Sequence, residues 1–336
     1  MPKPGSKARL VLVTGGSGYV GSVLVPLVAK SYPVRVYCNF AFGNSLSNLP
    51  HIECIKGDIR DRDRLRAALE GVTDVIHLAA IVTDELVDMN PRFAEDINVS
   101  AMKSLCYLAK AAGVRRFIYA SSSSVYGSLD HPATERDIPQ PISAYARMKL
   151  AGEGIAEGYA SREFNVWSIR SATACGPSPR MRLDTIVNVF CKQAWFDHKI
   201  TVHGGSQYRS NIHVQDVASL YRLLLDRSLR PPYHRTFNLT SDNSRAIDIA
   251  TTVAAHHYTS LGFPAQVHTD QLKQDHRSYQ MSAAKLRRTL TWSPSYSIED
   301  AIKDNFAWFA NGSIPNPNDP IFYNTRRMEK MVHDGV

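Results

Sequence analysis

The chain has 336 residues, of which 44% are hydrophobic and 21% charged, as in an ordinary globular protein with one large domain and an appended lobe. Its net charge is +8 at pH 7, but lysine and arginine are scattered without a long basic run, which disfavours a nucleic-acid partner. No stretch approaches the ~20 apolar residues that span a membrane, and no signal-length apolar core follows the basic residues 1–9, so we expect a cytoplasmic protein without a membrane partner.

A glycine-rich turn follows the first predicted strand. Residues 10–14 are apolar and mostly β-branched, as in a buried parallel strand. Gly15, Gly18 and Gly21 come next, and an apolar helical stretch then runs to residue 28. Between a strand and a helix, such glycines let the backbone approach a pyrophosphate, which lies on the helix N-terminus. The turn therefore predicts a dinucleotide site.

The second predicted strand, residues 34–37, bears on the choice of dinucleotide. In dinucleotide-binding folds an acidic residue at the end of this strand holds the ribose of NAD, whereas a nearby arginine accommodates the 2′-phosphate of NADP. This chain has Cys38 and Asn39 at that point, and no arginine follows closely. The sequence therefore favours NAD without excluding NADP.

Two further strands add candidate cofactor contacts. Asp58 follows the third strand and could accept a hydrogen bond from adenine, or could begin the helix predicted over residues 61–70. Residues 75–80 form a fourth strand that ends in small residues, where a cofactor could pass closely. Strands and helices alternate from residue 10 to residue 169, which predicts an α/β fold with a doubly wound parallel sheet.

A tyrosine and a lysine on one helix are the candidates for catalysis. Tyr145 and Lys149 share one face of the helix predicted over residues 144–160. Free tyrosine titrates near pH ~10, and a lysine cation a few ångströms away lowers that pKa. Such a tyrosine can accept the proton of a substrate hydroxyl.

Taken in order, these motifs resemble the extended short-chain dehydrogenase/reductase family, in its NAD-dependent nucleotide-sugar epimerase and dehydratase branch, to which UDP-glucose 4-epimerase belongs. The resemblance covers residues from about 8 to 310. The matching segments are residues 14–21, 57–58, 77–80, 98–99, 121–127, 145–149, 170, 175–177, 209–216, 237–239, 277–279 and 292–294. It implies a Rossmann domain over residues 7–175 and 209–242, with an interleaved, smaller α/β substrate-binding lobe over residues 176–208 and 243–336.

The resemblance also implies roles for single residues. Ser122 would orient the reacting sugar oxygen beside Tyr145, and Lys149 would also bind the nicotinamide ribose. The planar guanidinium groups of Arg209 and Arg277 would bind the substrate diphosphate. The remaining implied substrate contacts are Ser123 and Thr173, and the cofactor contacts, besides Tyr145 and Lys149, are Gly15, Gly18, Tyr19, Val20, Asn39, Asp58, Ile59, Leu78, Ala79, Ala80 and Asn98, the last as a helix anchor.

Several positions depart from the family pattern. The 4,6-dehydratases carry Asp and Glu where this chain has Ser123 and Ser124, and these hydroxyls cannot replace carboxyls in eliminating water. Thr173 stands in place of a common asparagine, Cys175 in place of a tyrosine and Ser282 in place of an aspartate. Dehydration is therefore disfavoured, and the identity of the sugar does not carry over.

The sequence thus predicts an NAD-dependent nucleotide-sugar epimerase, most simply acting at C4 through a transient keto-sugar. An NADP(H)-dependent keto-sugar reductase would share the same residues and stays open, as does, more distantly, a non-catalytic dinucleotide sensor. The five cysteines and twelve histidines show no metal or redox spacing, so no metal site is predicted. In relatives, helices corresponding to residues 101–112 and 144–160 pair between subunits, which implies a homodimer.

Overall fold

The structure is a computed structural model that describes residues 9–270 and 278–333. Its strands are β1 (Val11–Thr14), β2 (Val34–Cys38), β3 (Glu53–Lys56), β4 (Asp74–His77), β5 (Arg116–Ser122), β6 (Asn165–Ser171), β7 (Thr173–Cys175), β8 (Lys199–His203), β9 (Tyr208–His213), β10 (His234–Leu239), β11 (Asp242–Arg245) and β12 (Gln266–Asp270). Its α-helices are α1 (Gly21–Ala29), α2 (Arg62–Ala68), α3 (Asp84–Met89), α4 (Pro91–Glu95), α5 (Ala101–Ala111), α6 (Ala144–Tyr159), α7 (Ile186–Asp197), α8 (Val214–Asp226), α9 (Ala246–Leu261), α10 (Ala284–Leu290), α11 (Ile298–Ala310) and α12 (Asn324–His333). Short π and 3₁₀ turns lie at Asp96–Ser100, Ser123–Tyr126 and Pro320–Phe322.

Seven strands form one sheet in the order β10-β6-β5-β4-β1-β2-β3, and every neighbouring pair is parallel. Helices pack on both faces, with α1 against α8 on one side and α2 and α6 against α5 on the other. The predicted doubly wound parallel sheet is confirmed. Two strands that are distant in sequence, β1 and β4, lie side by side at its centre.

Alternate residues of the central strands face two separate hydrophobic cores. Val11 and Val13 belong to the core beneath α1 and α8, whereas Leu12 belongs to the core beneath α2, α5 and α6. All three side chains are fully buried. Because helices cover both faces of the sheet, its strands are apolar on both sides, which explains their continuous runs of apolar residues.

The remaining strands form two smaller sheets, β11-β9-β7 and β12-β8. A third core lies among α7, α9 and α11, with Val187, Ile249, Ile302 and Phe306 buried in it. Strand β10 returns to the large sheet after β7 to β9 have left it, so the chain interleaves between the sheets as the sequence predicts. The residue boundaries of the two lobes stay a prediction.

The parallel arrangement places several chain segments at one edge of the large sheet. Thr14, the last residue of β1, is in register with His77, the last residue of β4, and His77 is in register with Tyr119 of β5. The glycine turn after β1, the small residues after β4 and Ser122 at the end of β5 therefore meet at the carboxyl edge. Ligands of open α/β sheets bind at this edge.

Candidate active site

The glycine turn is shaped by close contact with the end of β4. Gly15 has φ +69°, and a Cβ at this position would lie 2.8 Å from the backbone nitrogen of Ala79. A Cβ at Gly21 would lie 2.5 Å from the carbonyl oxygen of Gly16. Only glycine fits at these two positions, so the turn offers bare backbone at the N-terminus of α1. That geometry suits a dinucleotide diphosphate.

Two other predicted cofactor residues in the turn mainly hold it in place. The buried Tyr19 donates its hydroxyl to the carbonyl oxygen of Gly176 at 2.6 Å and accepts from Asn188 Nδ2 at 3.0 Å. Val20 is half-buried and packs against two hydrophobic cores. The side chain of Tyr19 thus fastens the turn to the segment after β7.

At the ends of β2 and β3 the polar side chains have partners within the chain. Asn39 Oδ1 accepts from the backbone nitrogen of Ala41 at 3.1 Å. The Asp58 carboxylate accepts from Arg60 Nε at 2.9 Å and Nη2 at 2.6 Å, and these hydrogen bonds lower the pKa of Asp58. Ile59 is buried. The cap of α2 is Asp61, so Asp58 remains a candidate for adenine.

Asn98 anchors the loop that follows β4. Its Oδ1 accepts from the backbone nitrogen of Ile81 and its Nδ2 donates to the carbonyl oxygen of the same residue, both at 2.9 Å. This loop contains Leu78, Ala79 and Ala80, all half-buried along the cleft beside the glycine turn. These hydrogen bonds fix the loop, and the role that the resemblance implies for Asn98 stays a prediction.

Three side chains predicted to be catalytic come together where β5 meets α6. Ser122 ends β5, and Tyr145 and Lys149 lie on the first two turns of α6, which Ser143 caps. Ser122 is hydrogen-bonded to Tyr145. Lys149 is only 4% exposed, donates from Nζ to the carbonyl oxygen of Ala120 at 2.8 Å, and lies 5.8 Å from the centre of the Tyr145 ring.

The electrostatics of this set differ from the expectation drawn from sequence. Burial raises the pKa of Tyr145 to about 12, although the hydrogen bond with Ser122 and the positive charge of Arg182 oppose the rise. Burial also lowers the pKa of Lys149 to about 8, while the Glu153 carboxylate acts in the opposite direction. The pKa of Tyr145 therefore does not fall below its ordinary value in the protein alone, because the loss of water around its hydroxyl outweighs the opposing effects of Ser122 and Arg182.

A buried polar network supports the catalytic helix, and sequence analysis assigned it no role. Glu153, one turn after Lys149, accepts from Arg170 Nη2 at 2.7 Å and from Arg170 Nε at 3.0 Å, and it also accepts from the hydroxyl of Ser121. Arg170 Nη1 donates to the Tyr126 hydroxyl at 2.9 Å. The spacing of Glu153 four residues after Lys149 was the available signal.

On the predicted substrate side, two residues meet at Tyr279. Arg209 is buried on β9, with its guanidinium carbon 5.4 Å from the centre of the Tyr279 ring. Thr173 Oγ1 lies 3.5 Å from the Tyr279 hydroxyl. Ser123 is buried in the turn after β5, so its side chain is not open to a ligand here. Arg277 lies outside the described residues.

A family model for the NAD dependent epimerase/dehydratase family matches residues 11–239, about two thirds of the chain. The chain belongs to this family. The match spans the glycine turn, the Ser122, Tyr145 and Lys149 set, and the strands of the large sheet. The family resemblance stated from the sequence is confirmed. Members of the family are NAD-dependent enzymes, so the chain is an enzyme and NAD is its cofactor.

Relatives and solved structures match this chain over most of its length. The chain is 27% identical to dTDP-D-glucose 4,6-dehydratase of Mus musculus over 349 residues, which cover 98% of this chain and 94% of the relative. It is also 27% identical to UDP-glucose 4-epimerase of Corynebacterium glutamicum, over 87% of this chain and 94% of the relative. The structure of MoeE5 in complex with UDP-glucuronic acid and NAD is 26% identical, with a TM-score of 0.78 over 90% of this chain and 99% of MoeE5.

Other kinds of site are not found in the part of the chain that the structure describes. No helix within residues 9–270 and 278–333 has the length and apolar character needed to cross a membrane. Over the same ranges, no group of three or more His, Cys, Asp or Glu side chains could hold a metal ion. All five cysteines are free of disulfides.

Proposed function

We propose that this family member is a nucleotide-sugar epimerase that acts at C4 of the sugar. The observation that carries the proposal is the meeting of Ser122, Tyr145 and Lys149 at the carboxyl edge of the sheet, beside the glycine turn. Relatives named UDP-glucose 4-epimerase support the same reaction class. The residues at the site supply one proton acceptor and the groups that orient it.

In the proposed reaction Tyr145 accepts the proton of the C4 hydroxyl while the hydride of the same carbon leaves. NAD, held at the glycine turn beside Gly15 and Gly18, would supply the acceptor for that hydride. Ser122 holds the sugar oxygen in line with Tyr145, and Lys149 keeps a positive charge nearby. After the keto-sugar turns over, the hydride returns to its opposite face and Tyr145 returns the proton, so no net oxidation occurs. A nicotinamide cation bound nearby would favour the phenolate of Tyr145, because a neighbouring positive charge lowers the pKa of a tyrosine.

Dehydration is the second candidate, because the mouse relative is named as a dehydratase and aligns over 98% of this chain. Elimination of water needs an acid and a base besides the tyrosine. The two positions after Ser122 hold Ser123, which is buried, and Ser124, whose hydroxyl donates to Ser122 Oγ at 2.9 Å. Neither side chain ionises at neutral pH, so the geometry favours epimerisation.

The reaction can be identified by incubating the purified enzyme with UDP-glucose, UDP-glucuronic acid and dTDP-glucose, without added cofactor, and analysing products by NMR and mass spectrometry. An epimer of unchanged mass supports the proposal. A product that has lost one water identifies a dehydratase, and turnover only with added NADPH identifies a keto-sugar reductase. Binding of NAD without turnover of any sugar nucleotide favours the dinucleotide sensor. Each of the last three results overturns the epimerase assignment.

We further propose that the enzyme is a homodimer that pairs α5 and α6 with their copies. The outer face of α6 carries Ala151, Gly154 and Gly158, all exposed, and Tyr107 on α5 is 54% exposed. A Cβ at Gly154 would meet no atom within 4 Å in the chain itself. Gly154→Glu should therefore preserve the fold but place a charge between subunits.

Light scattering of the purified proteins tests this arrangement. Wild type should have the mass of a dimer, and Gly154→Glu that of a monomer with unchanged circular dichroism. Ala255→Glu, on the exposed face of α9, is the matched control and should remain dimeric. A monomeric wild type, or a dimer that survives Gly154→Glu, contradicts the proposed interface.

A further inference from the structure

The segment between β7 and α7 carries two arginines in unequal surroundings. Arg182 donates from Nε to Asp184 Oδ1 at 2.8 Å, so its charge is paired. Arg180, two residues earlier, is only 5% exposed and has no ion-pair partner among the described residues. Its Nη2 donates to the neutral side chain of Asn324, and its Nε is buried without a hydrogen-bond partner. The buried positive charge of Arg180 is therefore not neutralised by an acidic partner among the described residues.

Arg180 lies directly beside the glycine turn. Its backbone nitrogen donates to Ser22 Oγ, in the first turn of α1, at 3.3 Å. The neighbouring Ser178 donates its hydroxyl to the carbonyl oxygen of Tyr19 at 2.7 Å. These bonds connect the arginine segment to the N-terminal end of α1, where the geometry of the turn suits a diphosphate.

The second wall around Arg180 is the loop that follows β2. Its guanidinium carbon lies 3.7 Å from the centre of the Phe42 ring. This loop is joined to the glycine turn, because Ser17 Oγ donates to the carbonyl oxygen of Gly43 at 2.9 Å. In dinucleotide-binding folds the end of β2 borders the adenosine ribose. The guanidinium of Arg180 thus lies against the loop that borders the adenosine part of the cofactor, and the backbone of Arg180 is bonded to the helix whose N-terminus suits the diphosphate.

A buried cation without a counter-ion is costly. Burial lowers the pKa of Arg180 to about 9, and the positive charge of Arg182 acts in the same direction, against the weaker effect of Asp184. A doubly charged anion at the adjacent helix N-terminus would remove this cost. Such an anion would also gain from the helix dipole.

We infer that Arg180 is a binding residue for the diphosphate of NAD, supplying a buried positive charge beside the N-terminal end of α1. The diphosphate of a nucleotide sugar has the same chemistry, but Arg180 contacts Ser22 of α1 through its backbone nitrogen and Phe42 of the loop after β2 through its guanidinium. Arg209, the candidate for the substrate diphosphate, lies instead on β9. The inference depends on the NAD cofactor and not on which reaction the enzyme catalyses.

Binding of two diphosphate probes to protein stripped of nucleotide tests this inference. ADP-ribose carries the cofactor's diphosphate, and UDP carries that of a nucleotide sugar. Arg180→Met should weaken ADP-ribose binding, measured by calorimetry, about 10- to 100-fold, the range expected for losing one charged hydrogen-bonding group. UDP binding should change little, and Arg180→Lys should keep part of the affinity. Arg182→Met removes a cation that is already paired and is expected to have a smaller effect on ADP-ribose.

Melting temperatures measured without ligand separate a binding role from a structural one. Removing an uncompensated buried charge should leave the stripped Arg180→Met protein at least as stable as wild type. A lower melting temperature with unchanged ADP-ribose affinity would show a structural arginine and overturn the inference. Loss of UDP binding with intact ADP-ribose binding would assign Arg180 to the substrate and overturn it as well. If Arg180→Met does not fold, Arg180→Lys takes its place in the test. Full ADP-ribose affinity in Arg180→Lys, with the same dependence of binding on salt concentration as in Arg182→Lys, would contradict the inference.

Discussion

Two buried ion pairs lie at opposite edges of the same sheet, and they differ in what surrounds them. Asp74 and Arg116 pair at the first residues of β4 and β5, at the amino edge. Glu153 and Arg170 pair near the carboxyl edge, where Arg170 is in register with Ser121. In both pairs the side chains are less than one tenth exposed.

The pair at the amino edge makes its other hydrogen bonds with groups that have no place in the candidate active site. Asp74 also accepts from Arg9 Nη2 at 2.9 Å and from Thr73 Oγ1 at 2.7 Å, and Arg116 Nη2 donates to the carbonyl oxygen of Arg227. These contacts tie chain segments together far from the cleft. They predict effects on stability alone.

The pair at the carboxyl edge is continuous with the catalytic groups. Glu153 accepts from Ser121, which precedes Ser122, and it follows Lys149 by one turn of α6. The Glu153 carboxylate raises the pKa of Lys149, so this ion pair affects a catalytic group as well as the stability of the fold. Position on the sheet, rather than burial, therefore separates a supporting ion pair from one coupled to chemistry.

The largest effect should come from Tyr145→Phe, which changes only chemistry at the carboxyl edge. Removal of the proton acceptor should lower kcat by about 10²- to 10⁴-fold, the usual contribution of a general base. Steady-state kinetics measure the loss, and mass spectrometry of the denatured protein should still find NAD. Full activity in this variant would disprove the mechanism.

Asp74→Asn should lower the free energy of unfolding by about 3–5 kcal/mol, because Arg116 would remain buried without its full partner. Urea unfolding measures this loss. The pH profile of kcat should keep its wild-type shape, since no catalytic group lies nearby. A displaced pH profile would show that the amino edge is coupled to catalysis after all.

Glu153→Gln should cause a loss of stability similar to that of Asp74→Asn and, in addition, move the alkaline limb of the pH profile. In wild type, activity should fall as the pH rises through about 8, where Lys149 loses its proton. The carboxylate raises the pKa of Lys149, so its removal lowers that pKa, and the fall should begin at a lower pH than in wild type.

Asp74→Asn is the matched control for this displacement of the alkaline limb. The two variants remove the same charge from equally buried ion pairs, so general damage to the fold would affect both profiles alike. If the two variants had the same pH profile of kcat, the proposed difference between the ion pairs at the two edges of the sheet would be wrong.

Local patterns in the sequence were sufficient for the elements that hold the site. A glycine turn between an apolar strand and a helix, and a tyrosine and lysine one helical turn apart, depend on neighbours within a few residues. The structure therefore reproduces α6 within one residue of its predicted end, and it places Ser122 beside Tyr145. The alternation of strands and helices likewise determined the parallel sheet, because parallel strands require crossovers.

Tertiary structure alone decided the charges at the site. The pKa of Tyr145 is raised because the fold removes water from around its hydroxyl. The spacing of residues in the sequence does not show how much water is removed. The guanidinium of Arg180 contacts the neutral side chains of Asn324 and Phe42, each more than a hundred residues away in the chain. The sequence around Arg180 therefore does not show whether its charge has an ion-pair partner. Burial and long-range partners set the free energy of a charge, and both exist only once the chain has folded.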